Sequence, residues 1–259
     1  MKRFFLFALI QLLCGYAPAH AEKPSPQSES KVLVISIKGQ ISNNVLESVR
    51  TSVGQVRGDP FPAGLIVLLD SPGGDGFAAM KIGRLLRKSN AHIFVAGQCL
   101  SACTYVLASG VVRGATDYSV GIHRGRITVS DSDANVLKEV DLAKNSGAKK
   151  MLEDFEKNAA LYFAEMGMPS DLFRVMQAHE KKGVYRLSTR ETEFYGLTGF
   201  DKAYLNKRVA EYEALEGARR LDKRELVVRT SRVASNCAEF DKKPSEFVNC
   251  YKKSLRDPY

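Results

Sequence analysis

Apolar residues fall along this chain in short runs that alternate with helically spaced stripes. Val32 to Ile37 is an apolar, β-branched run that ends at Gly39, which predicts a buried strand. The next segment, Asn44 to Val56, repeats Val45, Val49, Val53 and Val56 at helical spacing. Leu65 to Leu69 is a second short run, leading directly into Asp70-Ser71-Pro72-Gly73-Gly74. Phe77, Met80, Ile82, Leu85 and Leu86 then form a helical stripe that closes with Arg87-Lys88. Ile93 to Ala96 reads as a third strand and meets Gly97-Gln98-Cys99-Leu100-Ser101-Ala102-Cys103, beyond which Tyr105 to Ala108 reads as a buried helix. Strand-like segments recur around Val111 to Ala115 and Ser119 to Ile122. Strands alternating with helices at this spacing predict βαβ units and a mostly parallel sheet, an α/β fold. From about Val136 to Met166 the pattern is helical and charged, and residues 207–259 are also helical by pattern, with 13 basic and 9 acidic side chains.

Length and composition narrow this picture. With 259 residues, of which 44% are hydrophobic and 26% charged, the chain suits one domain of moderate size with small additions and a sizeable core. No repeat at a period of roughly 20 to 50 residues points to a solenoid or propeller. The long apolar run, Phe4 to Leu13, is about half of what a membrane-spanning helix needs, so a polytopic membrane protein is excluded. That run follows Lys2-Arg3 and precedes Ala19-His20-Ala21, the order of a secretory signal peptide. Leu13 stands where a lipoprotein signal needs a small residue ahead of Cys14, which weighs against lipidation. The expected organisation is a signal peptide over 1–21, a polar proline-containing linker over 22–30, an α/β domain over 31–205 and a helical segment over 206–259. The mature chain then has no transmembrane span, and its localisation is periplasmic or secreted. Removing Lys2 and Arg3 takes the net charge from +9 to +7, spread without a basic block or aromatic-interleaved stripe, so no nucleic-acid partner is indicated.

Three clusters between residues 70 and 123 bear on chemistry. Ser71-Pro72-Gly73-Gly74 follows a strand, where glycines let the backbone turn and leave N–H groups open to a developing oxyanion or a phosphate; the plain reading is a strand–helix turn. Ser101 sits between a glycine-containing strand end and an apolar helix, where it acts either as a helix N-cap or as a nucleophile with the Ala102 N–H beside it. His123 ends a strand-like segment, either as a base for Ser101 or as a structural histidine bonded to backbone. His92 precedes a strand and His179 lies in a polar helical stretch, which makes His123 the best-placed base of the mature chain.

Taken in order, these motifs resemble the Clp protease proteolytic subunit of the ClpP/crotonase superfamily. The resemblance rests on Ser71-Pro72-Gly73-Gly74, Gly97-Gln98-Cys99-Leu100-Ser101, Ile122-His123, and Leu187-Ser188 through Phe194-Tyr195-Gly196-Leu197. It covers roughly residues 31–203. It implies a repeated ββα/βαβ core, to which the chain adds a C-terminal helical hairpin. It further implies Ser101 as nucleophile, His123 as base, and the Gly74 and Ala102 N–H groups as the oxyanion hole. The implied reaction is peptide hydrolysis through an acyl-enzyme. The chain has no P-loop and ATP is not expected outside the cytoplasm, so the reading is an ATP-independent peptidase with no cofactor and a peptide or protein substrate. Self-association is an expectation from the same resemblance. The chain departs from the family at the third triad member, an aspartate four residues before the serine of the Leu-Ser pair, where Val184 stands. Asp171 and Glu180 are the nearby carboxylates that offer a substitute, and a bare Ser–His dyad or a catalytically silent binding or scaffold protein are the alternatives.

Loss of Cys14 with the signal leaves Cys99, Cys103, Cys237 and Cys250, an even count that allows three pairings in an oxidising compartment. Cys99 and Cys103 flank Ser101 either as small buried residues or as a local disulfide stiffening the elbow. Cys237 and Cys250 lie on either side of Pro244-Ser245, a helix break expected to make a tight hairpin and bring the two sulfurs within bonding reach. No ligand cluster with metal spacing completes a metal site.

Overall fold

The computed structural model describes residues 32–57, 64–130, 136–179, 183–214 and 222–255. The stretches expected as signal peptide (1–21) and linker (22–30), and Glu180, lie outside the described residues. In chain order the elements are β1 (Leu33–Lys38), α1 (Asn43–Arg57), β2 (Leu65–Ser71), α2 (Gly76–Lys88), β3 (His92–Leu100), α3 (Cys103–Ala108), β4 (Val112–Gly114), β5 (Val120–Ile122), β6 (Thr128–Ser130) and β7 (Val136–Glu139). They continue with α4 (Ser146–Glu165), α5 (Ser170–Ala178), β8 (Tyr185–Leu187), α6 (Thr189–Phe194), β9 (Gly199–Phe200), α7 (Lys202–Glu213), α8 (Lys223–Asn236), a 3-10 turn (Ala238–Phe240) and α9 (Pro244–Leu255).

β1, β2, β3 and β4 pair in parallel in that order, and β9 closes one edge antiparallel to β4. The α/β class expected from the alternation of runs and stripes is the one observed. β3 is long enough to serve two neighbours: its first half pairs β4, and its last residues, Cys99 and Leu100, pair Val120 and Gly121 of β5. β8 then joins β5 antiparallel. Between Leu69 and Ser71 the register against β3 slips. The slip surrounds Gly97, where any Cβ would fall 2.4 Å from Asp70 Oδ1, and that same oxygen accepts the Gln98 N–H at 3.1 Å. A glycine at this position therefore lets a carboxylate fill the irregularity instead of breaking the sheet.

Both faces of the sheet are covered, which is why β2 and β3 read as continuous apolar runs and not as alternating ones. Val67, Leu69, Ile93 and Val95 pack with Ile82, Leu86, Val106 and Phe163 from the helices on one face. On the other face Ile66, Leu68 and Phe94 meet Val233, Phe247, Tyr251 and Leu255 of α8 and α9. These two helices form an antiparallel hairpin, joined by the Cys237–Cys250 disulfide (Cα–Cα 5.7 Å) and by Arg229, which donates to the Leu255 carbonyl at 3.2 Å. Pro244 opens α9, where its missing N–H has no helical partner to lose.

One expectation is corrected. The stretch from Val136 to Met166 is not helical throughout: β7 pairs antiparallel with β6, and the helix begins only at Ser146, capped by Asn145. All four residues of β7 are exposed, so no apolar period marks it as a strand.

Candidate active site

The carboxyl ends of β2, β3 and β5 border a cavity of about 1010 Å³. Gly73, Gly74, Ser101, Ala102 and His123 all line it. Ser101 has φ of 55°, a left-handed conformation that places a non-glycine residue on a sharp strand-to-helix turn. It is not the helix cap: Ala102 holds that position and offers no side-chain bond. Its N–H donates to the Gly121 carbonyl at 2.8 Å, tying the elbow to β5, while its carbonyl accepts from Thr104 at 3.0 Å in the first turn of α3. Gly73 packs directly against it, since a Cβ there would lie 2.7 Å from Ser101 Cβ. Only glycine fits, and φ of 103° independently favours it.

Gly74, with φ of 138°, is held on its other side by Ile41, which donates to the Gly73 carbonyl at 2.7 Å and accepts from the Asp75 N–H at 2.9 Å. This places its backbone at the cavity ahead of α2, whose N-cap Asp75 accepts from Phe77 and Ala78. Neither the Gly74 N–H nor the Ala102 N–H donates to another described group. Two uncommitted N–H groups lining one cavity with a serine are what a tetrahedral oxyanion requires.

His123 follows the last residue of β5. Its Nδ1 lies 2.6 Å from the Arg124 carbonyl, which can only accept, so Nδ1 carries the proton and Nε2 the lone pair. Burial pushes the imidazole below its usual range, and Arg126 adds to this; the Arg124 carbonyl and Glu139 pull the other way. The ring is therefore neutral at neutral pH, the form a general base needs. No hydrogen bond joins it to Ser101, and no carboxylate bonds to it among the described residues. Asp171 is not brought to the ring: it pairs with Arg174 in the first turn of α5. Val184 lines the cavity and touches the strand that carries the histidine, its Cγ1 lying 2.3 Å from where a Gly121 Cβ would be.

Sequence reasoning missed other groups at this site. Glu139, half-exposed on β7, lines the cavity and lies 3.9 Å from Arg126. Phe155 of α4 meets Phe77 (centroids 5.3 Å) and Tyr105 (6.0 Å), giving the cavity an aromatic wall. Helical spacing marks Phe155 only as apolar, and the wall forms because Gly76 leaves room beneath its ring.

The disulfide pairing is local. Cys99 and Cys103 are bonded across the elbow with Cα–Cα of 5.2 Å, and Cys237 is bonded to Cys250. Among the described residues no helix is long and apolar enough to cross a membrane, and no group of three or more histidines, cysteines and carboxylates is placed to hold a metal.

Fold and cavity together define an α/β domain with a serine, a histidine and two uncommitted N–H groups at the carboxyl edge of its sheet. No protein-family model and no curated protein matches the chain. Among solved structures it is similar to a mutant of the 1510-N membrane-bound stomatin-specific protease, at 18% identity over 75% of this chain and 92% of that one, with a TM-score of 0.49. It is also similar to a mutant of ClpP1 from Listeria monocytogenes, at 15% identity over 63% and 87% of the two chains, again with a TM-score of 0.49.

Proposed function

We propose that this chain is an exported, ATP-independent serine hydrolase of ClpP-like build, and specifically a peptidase acting through an acyl-enzyme. The observation that carries the reading is the left-handed Ser101, sharing one cavity with two uncommitted N–H groups and a neutral His123. Ser101 Oγ attacks the scissile carbonyl carbon and its proton passes to His123 Nε2. The Gly74 and Ala102 N–H groups hold the oxyanion. Collapse of the intermediate expels the amine, which takes the proton from His123, and water then releases the acid by the same route. The Arg124 carbonyl fixes the tautomer in place of a carboxylate. Two disulfides support a periplasmic or secreted location, where such bonds persist. Self-association belongs to the same proposal. A fluorophosphonate probe is expected to label the protein, and Ser101→Ala to abolish labelling.

A second reading has its own support. With no carboxylate on the ring and no bond from His123 to Ser101, the fold also suits a silent binding or scaffold protein. Absence of labelling at every pH tested decides for it.

A further inference from the structure

Among the described residues, three without the freedom of glycine take positive φ: Asn90, Ser101 and Tyr118. Asparagine adopts this region readily, whereas serine is strained there because its Cβ crowds the following carbonyl. Ser101 makes no side-chain hydrogen bond that offsets the strain, and it is not a cap. Strain at one residue persists only where the surroundings over-determine it. Two backbone bonds contribute, from the Ser101 N–H to the Gly121 carbonyl (2.8 Å) and from Thr104 to the Ser101 carbonyl (3.0 Å), and the covalent constraint is the Cys99–Cys103 bond, which closes a small ring whose only interior residues are Leu100, Ser101 and Ala102.

We propose that this disulfide is the positioning element for Ser101, and that its reduction by a dithiol switches the site off. The inference rests on the hydrolase reading above and adds the regulation of that site. In the switching step two electrons and two protons pass from the dithiol to the sulfur–sulfur bond. That bond breaks to give two cysteine thiols, and the reductant closes into its own disulfide. The rest of the elbow does not depend on the bridge. The Cys99 N–H stays on the Ser119 carbonyl at 2.8 Å, β3 stays paired with β2 over Ile93–Val95, and Cys103 remains inside the core of α3. Opening the ring therefore loosens residues 100–102, which the Ser101 N–H on the Gly121 carbonyl still ties to β5, and lets Ser101 relax from its left-handed conformation, which withdraws Oγ and turns the Ala102 N–H away from the cavity. Both cysteines are fully buried, so a dithiol reaches the bond only when the elbow opens, and the double variant is the cleaner probe.

The test compares the full chain, bridges formed, with Cys99→Ala/Cys103→Ala. Three properties are followed: the rate of fluorophosphonate labelling, mass-spectrometric amide exchange over residues 99–103, and thermal melting. Labelling is expected to slow by about 30-fold or more, as for a nucleophile displaced by about an ångström. Exchange is expected to quicken over 99–103 alone, and melting to stay cooperative. Equal labelling rates in two folded proteins overturn the proposal while leaving the hydrolase reading intact. If neither protein labels, the hydrolase reading fails, and equal exchange over 99–103 separately overturns the positioning role. Should the double variant not fold, Cys237→Ser/Cys250→Ser protein is reduced with dithiothreitol and then reoxidised. Labelling lost and recovered supports the switch, and labelling unchanged on reduction overturns it.

Discussion

His92 opens β3 and His123 follows β5, its neighbour in the sheet, and burial pushes both below the usual histidine range, yet they sit in opposite surroundings. His92, the first residue of β3, has a partner on each nitrogen: Tyr251 at 2.6 Å on Nδ1 and Tyr204 at 3.1 Å on Nε2. Its ring packs against those of Tyr204 and Tyr251, and its pKa falls to about 3, first through burial and then through Arg208. His123 has one nitrogen on a backbone carbonyl and stands at a cavity that also holds a serine. What separates a structural histidine from a candidate base is therefore not the shift itself but whether a nitrogen is left to face a reacting group.

Exchanging the two by mutation gives the largest contrast. His123→Ala should slow fluorophosphonate labelling by about 100-fold or more, the usual worth of a general base, while leaving the melting temperature nearly unchanged. His92→Ala should do the reverse. It takes from two tyrosine hydroxyls the ring they bond to and opens a cavity beneath α9, a loss of about 3 kcal/mol, while the folded fraction labels at the parent rate. Chemical denaturation and labelling, measured on both variants, check the crossing. Equal loss of stability in both would remove the distinction.

The Cys237–Cys250 bridge tests the same contrast from the side of the hairpin. It fixes the helix that carries Tyr251, so Cys237→Ser/Cys250→Ser should destabilise by about 3 kcal/mol in the chain-entropy account and leave the parent labelling rate in place. Mapping a non-reduced digest confirms the pairing beforehand. Acid sharpens the comparison further. Because the folded pKa of His92 is depressed, the unfolded chain takes up the proton first as pH falls below the ordinary histidine value of 6.5. Stability contributed by the neutral ring is complete above that value and is lost progressively down to about 3. Between pH 7.5 and 4.5 this one group should lower the unfolding free energy by roughly 2 to 3 kcal/mol. Denaturation of the parent protein against His92→Gln isolates it: the variant's curve should be flatter by that amount.

Which parts of this were readable beforehand follows from how local their causes are. β2 and β3 announce themselves because burial on both faces turns them into unbroken apolar runs, and α2 because one stripe faces the core. The hairpin β6–β7 does not, since β7 is exposed along its whole length and depends on a partner across the segment between them. That misreading hid Glu139. The serine, the glycine turn and the histidine stand out as residue types at strand ends, but the group on His123 Nδ1 is a backbone carbonyl, which every residue has and no sequence pattern marks. The Cys237–Cys250 bridge is legible from the proline break between the two cysteines, whereas Cys99–Cys103 reads equally as two small buried residues until the geometry of the elbow bonds them. The role of the C-terminal helices is hidden for a similar reason. Their apolar positions are ordinary, and only the sheet shows that they close its second face.

The smallest expected effect concerns the missing carboxylate. Val184 stands where the motif resemblance would put an aspartate, lines the cavity and touches the strand that presents His123. Val184→Asp therefore places a carboxylate where the motif resemblance wants one. Yet the tautomer is already set by the Arg124 carbonyl, and much of a triad aspartate's contribution lies in setting it. Labelling at neutral pH should consequently rise by no more than about threefold. The acid limb should move instead. In the parent protein, labelling is expected to fall with acid only below the ordinary histidine value, because burial and Arg126 hold the imidazole low. A nearby carboxylate favours the charged ring and should shift that limb upward. A pH–rate profile of parent and variant reads both quantities at once. A gain of tenfold or more, with the limb shifted, would show that the carbonyl is a poor substitute and that this chain is held back by its valine.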